Sequence, residues 1–436
     1  MLPRYFYYVD LALRSFRRNR VLTGLMVVAI ALGVGASMTT LTVLHLLSGD
    51  PMPGRSQNLY YVQLDAAGKE GFTPGEEPDD QVTRFDAEAL VRAKRADRQA
   101  MMTGGDVGIE PGRPDLDPFY AGARYTTADF FPMFDVPFAH GGGWSAAEDQ
   151  SRARVAVISK ELNEKLFGGA DSVGKTVRVA QNELRIVGVL ERWRPTPHFY
   201  DLANGKYSEL EQVFVPFSTS RDLKLDRSGS MNCWDETNGD ETGMNAPCTW
   251  IQLWVQLDSP DRAASYRDYL TRYSQEQLAA GRFARPPNAR LRDLMAFLDY
   301  RKVVPSDVRL QTWLAFGFLL VCLVNTIGLL LAKFLRRSSE IGVRRALGAT
   351  RRAIFAQFLI EAVTVGLVGG VLGLGLACLG LWAVRHQPTE YAKLAELDLP
   401  MLAATFALSL LASVLAGLVP AWRACQIAPA LQLKSQ

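Results

Sequence analysis

The sequence has few histidines and cysteines, four and five in 436 residues. Its four histidines, His45, His140, His198 and His386, lie far apart and do not show metal-ligand spacing. No G-x-S-x-G nucleophile motif occurs, and only a triad built from distant residues stays open as a hydrolase alternative. The net charge of +3 gives no reason to expect a nucleic-acid partner. We therefore predict no catalytic, metal-binding or cofactor-binding residues in this chain.

Four apolar runs have the length of about 20 residues that a helix needs to cross a bilayer. They cover residues 21–48, 310–334, 354–384 and 400–422. The first run could instead be a cleaved signal peptide, but it exceeds the usual apolar core and lacks a clear cleavage site. The average composition, 48% hydrophobic and 21% charged, hides these runs. We predict a multi-pass α-helical membrane protein with four transmembrane helices.

Basic residues flank these runs on alternating sides. Arginine and lysine concentrate in residues 1–20, in residues 335–353 and in residues 423–436. By the positive-inside rule, these three segments and both termini are expected to be cytoplasmic. Residues 49–309 and the short loop 385–399 then lie on the opposite side of the membrane.

The large outer segment has the pattern of an α+β domain. Residues 250–257 alternate in polarity as a strand does, and Pro260 is suited to the first turn of a following helix. A similar strand-helix-strand pattern occurs near the start of the segment. We predict two such units, at residues 57–104 and 249–296, which pair to form a single membrane-proximal layer. A β-rich lobe at residues 115–217 is expected to be a separate insertion that projects outward.

The five cysteines divide between the two parts of the chain. Cys322, Cys378 and Cys425 lie in or beside the apolar runs, where a thiol usually acts as a small apolar group. Cys233 and Cys248 are the only cysteines of the outer segment and flank a polar loop. An oxidising compartment favours a disulfide between them. The alternatives are two free thiols, or a metal site for which no histidine is nearby.

Residues 169–176 match the phosphate-binding pattern G-x-x-x-x-G-K-[ST] letter for letter. A phosphate-binding loop needs a strand before it and a helix after it. Here a predicted helix precedes the pattern and a predicted strand follows it. We therefore interpret these residues as a turn into a strand.

The segment between the second and third apolar runs is dense in arginine. It has the sequence S-E-I-G-V-R-R-A-L-G-A-T-R-R over residues 339–352. A short helix held between two membrane helices can transmit force between a cytoplasmic partner and the membrane. The arginines could also reflect membrane topology alone. The residues predicted to carry the coupling are Glu340, Ile341, Gly342, Arg344, Arg345, Ala346, Leu347, Gly348, Ala349 and Arg351.

The membrane runs also contain small and polar residues with predicted roles. Because Glu361 lies near the inner surface, we expect an ion pair with Arg344, Arg345 or Arg352 rather than a proton relay. Asn325 is expected to form an interhelical hydrogen bond rather than a substrate contact. Small residues at a spacing of four allow close helix packing. The glycines predicted to serve this packing are Gly366, Gly369, Gly370 and Gly373.

Several of these motifs resemble those of one protein family. The stretch 336–373, with R-R-S-S-E-I-G-V-R-R-A-L-G-A-T-R-R and the glycines after it, resembles the FtsX-like permease domain of ABC transporters. G-L-V-P-A-W-R-A at residues 417–424, with I-A-P-A at 427–430, is similar to that family's closing motif. Residues 130–131, 141–144 and 158–189 resemble the MacB-like periplasmic core. The resemblance covers nearly the whole chain.

The resemblance implies a permease of the type VII, or MacB-like, ABC transporters in the inner membrane. Such permeases dimerise, here with the same chain or a paralogue, and bind two copies of an ATPase that holds ATP and magnesium. Because only about 20 residues precede the first run, we expect the ATPase to be a separate polypeptide. Membrane lipid, and an adaptor with an outer-membrane channel, are further expected contacts.

Three functions remain compatible with the resemblance. The favoured one is ATP-driven export or extraction of a substrate by mechanotransmission, in which the permease itself is not catalytic. A lipoprotein-release permease of the LolC and LolE type is the second. The third is an FtsX-like regulator of a cell-wall hydrolase, which the large outer domain disfavours.

Overall fold

The computed structural model describes residues 19–207, 210–237, 239–387 and 398–426. The chain divides into two compact units, one of Met1–Ser48 with Val304–Gln436 and one of Gly49–Val303. Most of the predicted cytoplasmic terminal segments, most of the loop 385–399 and the motif at residues 427–430 lie outside the described residues.

The helices of the described ranges are numbered in chain order. They are α1 (Arg20–Ser48), α2 (Arg84–Ala93), α3 (Phe130–Met133), α4 (Ala146–Gln150), α5 (Lys160–Phe167), α6 (Phe217–Asp222), α7 (Pro260–Ala279), α8 (Leu294–Tyr300), α9 (Ser306–Leu335), α10 (Ser338–Ala346), α11 (Arg351–Arg385) and α12 (Leu399–Cys425).

The strands are numbered in the same way. They are β1 (Leu59–Gln63), β2 (Val82–Thr83), β3 (Arg98–Glu110), β4 (Phe119–Thr126), β5 (Phe138–Gly141), β6 (Val155–Ile158), β7 (Thr176–Val179), β8 (Asn182–Leu190), β9 (Val213–Pro216), β10 (Asn232–Cys233), β11 (Cys248–Gln256) and β12 (Arg290–Asp293).

The first unit contains the four predicted membrane helices, α1, α9, α11 and α12. Each has a mean hydropathy of 2.2 to 2.5 over its most apolar window, so the count of four is confirmed. Helix α1 packs against the other three, and α11 packs against both α1 and α12. Their apolar side chains form one core that includes Met26 and Val34 of α1 and Phe358 of α11.

The second unit is built on one continuous sheet of twelve strands, with the main order β12-β1-β11-β3-β4-β9-β6-β8-β5. Strand β1 lies between β11 and β12 and is antiparallel to both, so the two ends of the outer segment pair in space. All nine residues of β11 are buried, which makes it a central strand with no solvent face. The α/β character of this domain, between the first and later membrane helices, is confirmed.

The predicted separate lobe is not seen, because the sheet continues through it. Strand β3 is 13 residues long and pairs with β11 at one end and with β4 along the rest. The first strand-helix-strand unit was predicted to end at residue 104, within this strand. Gly104, Gly105 and Gly108 interrupt the apolar alternation, although the strand passes through them. At Gly105 a side chain would clash with the Tyr125 ring of β4, which explains the glycine there.

Two local predictions concern loops of this unit. A disulfide joins Cys233 to Cys248, which also pair across β10 and β11. Residues 169–176 connect the end of α5 to the start of β7, an order opposite to that of a phosphate-binding loop. There the buried Ser172 hydroxyl donates a hydrogen bond of 2.6 Å to the Asn163 side chain of α5.

Candidate coupling site

The arginine-rich segment forms a short helix between two membrane helices. Helix α10 ends at Ala346, and Gly348 follows with a φ of +96°, a conformation that favours glycine. The hydroxyl of Thr350 then accepts a hydrogen bond from the Ala353 N–H and caps α11. Gly342, in contrast, lies inside α10 and is not among the positive-φ residues. Gly348 therefore follows the end of α10, and Thr350 caps the start of α11.

One apolar residue anchors this short helix. Ile341 is buried and belongs to the same core as Ile354 and Phe358 of α11. It therefore acts as an internal anchor and not as a surface contact. Burial of the Ile341 side chain stabilises the orientation in which this face of α10 points toward α11.

A series of polar contacts runs along the anchored side of α10. Arg337 donates to Glu340 at 3.2 Å, and Glu340 lies 3.0 Å from Arg344. Arg344 also donates to the Gln357 side chain of α11 at 3.0 Å. Arg337 continues the series to Glu361 of α11, at 3.4 Å. The helix is therefore connected to α11 by side chains at both of its ends.

Glu361 pairs with partners other than the predicted ones. Its carboxylate lies 2.7 Å from the Lys333 ammonium of α9, and the side chains are 3% and 0% exposed. Lys333 also donates to the Thr23 hydroxyl of α1 at 3.3 Å. An ion pair of Glu361 with Arg344, Arg345 or Arg352 was expected. The prediction of Arg344 was wrong, because Arg344 contacts Glu340 and Gln357 instead. The buried pair joins α1, α9 and α11 at one point.

No specific role was predicted for Lys333, which lies near the end of the second apolar run. The available signal was a lysine in the last turn of one apolar run and a glutamate in the next run. Two opposite charges at membrane depth are expected to pair, because an isolated charge there is costly. We call the contacts of Thr23, Lys333, Glu361, Arg337, Glu340, Arg344 and Gln357 the coupling network.

The opposite side of the segment forms an exposed surface. Leu347 is 82% exposed and Val343 is 55% exposed, and Ala346 and Gly348 are exposed beside them. Arg351, in the first turn of α11, is also exposed. Apolar side chains rimmed by positive charge are typical of a protein contact surface. We call these five residues the coupling tip.

The predicted packing glycines lie on two faces of α11. At Gly366 and Gly370, side chains would collide with Ser413 and Ser409 of α12, and the Ser409 hydroxyl donates to the Gly366 carbonyl at 2.8 Å. At Gly369 and Gly373, side chains would meet Ile30 and Val34 of α1 at about 3 Å. The small residues thus serve packing within this chain.

Asn325 of α9 does not make the predicted interhelical hydrogen bond. Its side chain is exposed and has no hydrogen bond to any residue in the part of the chain that the structure describes. The residues around it on this face of α9, including Val321 and Val324, are exposed too. The rotation of α9 turns this face away from the other helices of its unit.

The second unit, Gly49–Val303, which we call the outer unit, contains a second buried charge cluster that the sequence did not predict. Arg124 of β4 contacts Glu211 through Nε at 2.9 Å and Asp201 through Nη1 at 2.7 Å. The hydroxyl of Tyr200 donates to Glu211, and the Gln252 side chain of β11 donates to Asp201. Burial opposes ionisation, but Arg124 and His198 outweigh it and hold the pKa of Glu211 well below its usual range.

No group of three or more histidine, cysteine, aspartate or glutamate side chains with metal-binding geometry occurs among the described residues. Both charge clusters consist of ion pairs and hydrogen bonds. The outer cluster is enclosed by the sheet, whereas the coupling network connects helices beside an exposed tip. The second arrangement is the one suited to transmitting a displacement.

Two family models match the chain. Residues 23–273 match the MacB-like periplasmic core domain, which is more than half of the chain. Residues 313–429 match the FtsX-like permease C-terminal domain.

Individual proteins and a solved structure are also similar to this chain. Pyoverdine export ATP-binding/permease protein PvdT from Pseudomonas fluorescens is 24% identical over 444 residues, which cover 98% of this chain and 59% of that protein. The protein of that name from Pseudomonas savastanoi is 25% identical over 440 residues, with the same shares. The chain thus spans about three fifths of the length of these relatives. The crystal structure of the periplasmic region of MacB from Actinobacillus actinomycetemcomitans is 13% identical, with a TM-score of 0.37, and covers 58% of this chain and 95% of that one.

Proposed function

The chain belongs to the MacB/FtsX-like, or type VII, permeases of ABC transporters, and we propose that it converts ATP hydrolysis into movement of its outer domain. It is a multi-pass protein of the inner membrane. The ATP and magnesium are proposed to be held by an ATPase outside these 436 residues. The prediction that this ATPase is a separate polypeptide, present in two copies beside a permease dimer, stays a prediction.

The single observation that carries this proposal is the coupling network. It extends from α10 through Arg344, Glu340 and Arg337 to the buried pair of Glu361 and Lys333. A displacement of α10 therefore reaches α9, α11 and α1 through directly bonded side chains. Charged hydrogen bonds in a low-dielectric setting resist separation, so they transmit force rather than stretch.

The proposed orientation puts the coupling tip in the cytoplasm. The positive-inside bias of residues 335–353 supports this orientation. The ATPase would contact Leu347 and Val343 with an apolar pocket and Arg351 with acidic groups. Gly49–Val303 then lies in the periplasm and moves when the helices tilt.

Export is the transport class that we favour. The similar proteins are named for pyoverdine export, and this supports export over lipoprotein release or regulation of a cell-wall hydrolase. An adaptor and an outer-membrane channel would complete such a pathway. A substrate of the relatives is not assigned to this chain, because identity is only about a quarter.

The test compares two exposed leucines at helix ends of the same unit. Leu347 is 82% exposed and Leu399, at the start of α12, is 80% exposed. The permease is purified from native membranes, and every co-purifying subunit is identified by mass spectrometry. We expect Leu347→Asp to lose the ATPase and its permease-stimulated hydrolysis, and Leu399→Asp to keep both.

The outcome that overturns the proposal is equally concrete. If Leu347→Asp retains the ATPase with unchanged stimulated hydrolysis, the coupling tip is not the contact surface. If the double variant Leu347→Asp with Arg351→Glu also retains the ATPase and its stimulated hydrolysis, Arg351 has no role in the contact. A whole-cell, membrane-impermeant thiol label that reaches Gly348→Cys would reverse the orientation.

A further inference from the structure

The outer unit has an open cavity for which nothing above accounts. It has a volume of about 600 Å³, within the range of small-molecule sites. It lies between α2 and α6, above β3, and its apolar lining includes Val91, Met101 and Phe217. An adjoining cavity of about 490 Å³ shares Val91 and Met101. The adjoining cavity has three aspartates in its lining, and we call only the larger cavity the groove.

The lining of the larger cavity is strongly basic. Arginine or lysine contributes five of its side chains, whereas Glu88 and Asp222 are the acidic ones. Glu88 already pairs with two arginines of α2, at 2.8 and 3.7 Å. Asp222 likewise pairs with Arg152 and Arg154, at 3.3 and 2.9 Å. Both carboxylates are therefore occupied, and positive charge remains in the groove.

The remaining positive charge belongs to Arg221 and Lys94. Neither forms an ion pair with a residue in the described ranges. Lys94 ends α2 in a left-handed conformation, with φ of 49°, and its side chain is exposed at the rim. Arg221 is half-buried at the inner wall. An anion placed between them would meet one flexible and one fixed cation.

Contacts with the protein hold Arg221 in position. It donates to the Leu225 carbonyl at 2.8 Å, and its guanidinium lies 5.6 Å from the Tyr125 and Trp250 rings. Burial lowers the pKa of Arg221, and the nearby positive charges of Arg84 and Arg227 also act in that direction. Its Nη1 group has no hydrogen bond to the described residues, so it is available to a ligand.

We propose that this groove binds an anionic, amphipathic small molecule. A carboxylate, sulfonate or phosphate group would lie against Arg221 and Lys94, since a guanidinium binds such groups through paired N–H donors. The apolar part would lie along Val91, Met101 and Phe217. That this ligand is the transported substrate rests on the proposed export function, whereas the binding itself does not.

The test uses two dyes that differ in one sulfonate group. The full chain is placed in phosphatidylcholine nanodiscs, and binding of 8-anilinonaphthalene-1-sulfonate is measured by equilibrium dialysis against empty nanodiscs. N-phenyl-1-naphthylamine, which lacks the sulfonate, is the matched neutral probe. We expect saturable protein-dependent binding of the sulfonate dye, and at least about tenfold weaker protein-dependent binding of the neutral dye, because a charge-assisted hydrogen bond is lost.

Variants separate the ligand contact from a role in folding. Arg221→Gln should weaken binding of the sulfonate dye roughly tenfold, with partial recovery in Arg221→Lys. Lys94→Gln, at an exposed position that does not affect packing, should weaken it about threefold. Arg178→Gln, an exposed β7 arginine paired with Glu110, is the control and should bind as the unmodified chain does.

Two results would overturn the proposal. One is equal protein-dependent binding of the two dyes, which would indicate nonspecific apolar adsorption. The other is unchanged affinity in both Arg221→Gln and Lys94→Gln. Addition of anionic lipid to the nanodiscs distinguishes the two sources of the ligand. If the lipid competes with the dye, the ligand is a lipid headgroup. If the lipid does not compete, the ligand is a soluble molecule. Neither overturning result affects the Leu347→Asp experiment.

Discussion

The two buried charge clusters of this protein have opposite designs. In the outer unit, one cation, Arg124, lies between the carboxylates of Asp201 and Glu211. In the membrane unit, one carboxylate, Glu361, lies between the cations Lys333 and Arg337. Both centres are almost fully buried, so both groups of charges depend on their partners for solvation.

The difference lies in what the partners are attached to. Arg124 lies on β4, and Gln252 on the buried strand β11 donates to its partner Asp201. Strands of one sheet cannot shift separately without loss of backbone hydrogen bonds. The partners of Glu361 lie on α9 and at the start of α10, which are separate helices. The first cluster therefore joins parts of one sheet, and the second joins separate helices, which the proposed function requires to move.

The largest expected effect comes from breaking the fixed cluster. Arg124→Met leaves two buried carboxylates without their cation, and we expect a loss of about 3–5 kcal/mol of unfolding free energy in the outer unit. Denaturant unfolding of the full chain, followed by tryptophan fluorescence, measures this loss. Arg262→Met, which breaks an exposed pair with Asp97, is the control with a much smaller effect. Equal midpoints for the two variants would contradict the account of a fixed cluster.

The second prediction concerns the movable cluster. Lys333→Met and Glu361→Gln should each reduce permease-stimulated ATP hydrolysis, because each removes the buried ion pair between these two residues. The exchanged double variant, Lys333→Glu with Glu361→Lys, should recover part of the loss, with an interaction energy of about 1–3 kcal/mol. Thermal unfolding of the same variants separates coupling from folding. Single variants with full stimulation would show that the pair serves packing alone.

The smallest expected effect comes from Asp149, a carboxyl group of the outer unit that is expected to change its charge with pH. Burial raises the pKa of Asp149 to about 6 from its ordinary value of 3.8, against hydrogen bonds from the Ala128 N–H and the Trp144 indole. The folded state then holds this proton more tightly than the unfolded state does. Its contribution to stability is largest below about pH 4 and is lost as the pH rises through about 6.

We expect this group to lower the unfolding free energy by about 1 kcal/mol over that pH window, after allowance for its partial exposure. Unfolding of the full chain measured from pH 4 to pH 7 gives the slope. Asp149→Asn should remove this component of the slope. An identical pH profile in the variant would show that folding does not raise the pKa of Asp149.

The sequence predicted features that depend on neighbouring residues. The four membrane helices follow from local hydropathy, and the helices before residue 169 and after Pro260 were predicted because α5 and α7 both have polar caps. The short helix predicted between the second and third spans is α10. Each of these depends on a few consecutive residues.

The features that were missed depend on distant residues. Arg124 contacts Asp201 and Glu211, which lie 77 and 87 positions away, and no local pattern indicates such a triad. The wrong partner for Glu361 has the same origin, since the rotation of α9 decides that Lys333 faces it. That rotation also exposes Asn325, where a hydrogen bond was expected. Helix orientation is set by packing of the whole unit, which one segment does not encode.

The close approach of α11 and α12 has a consequence for the lipid around them. Because the Ser413 and Ser409 side chains pack directly against Gly366 and Gly370, we expect the two helices to tilt together and to displace lipid as a single broad body. A tilted broad body changes the local thickness of hydrocarbon that it needs, and the bilayer resists that change elastically. In the proposed cycle, the bilayer would therefore contribute an elastic restoring force that opposes tilting of the pair.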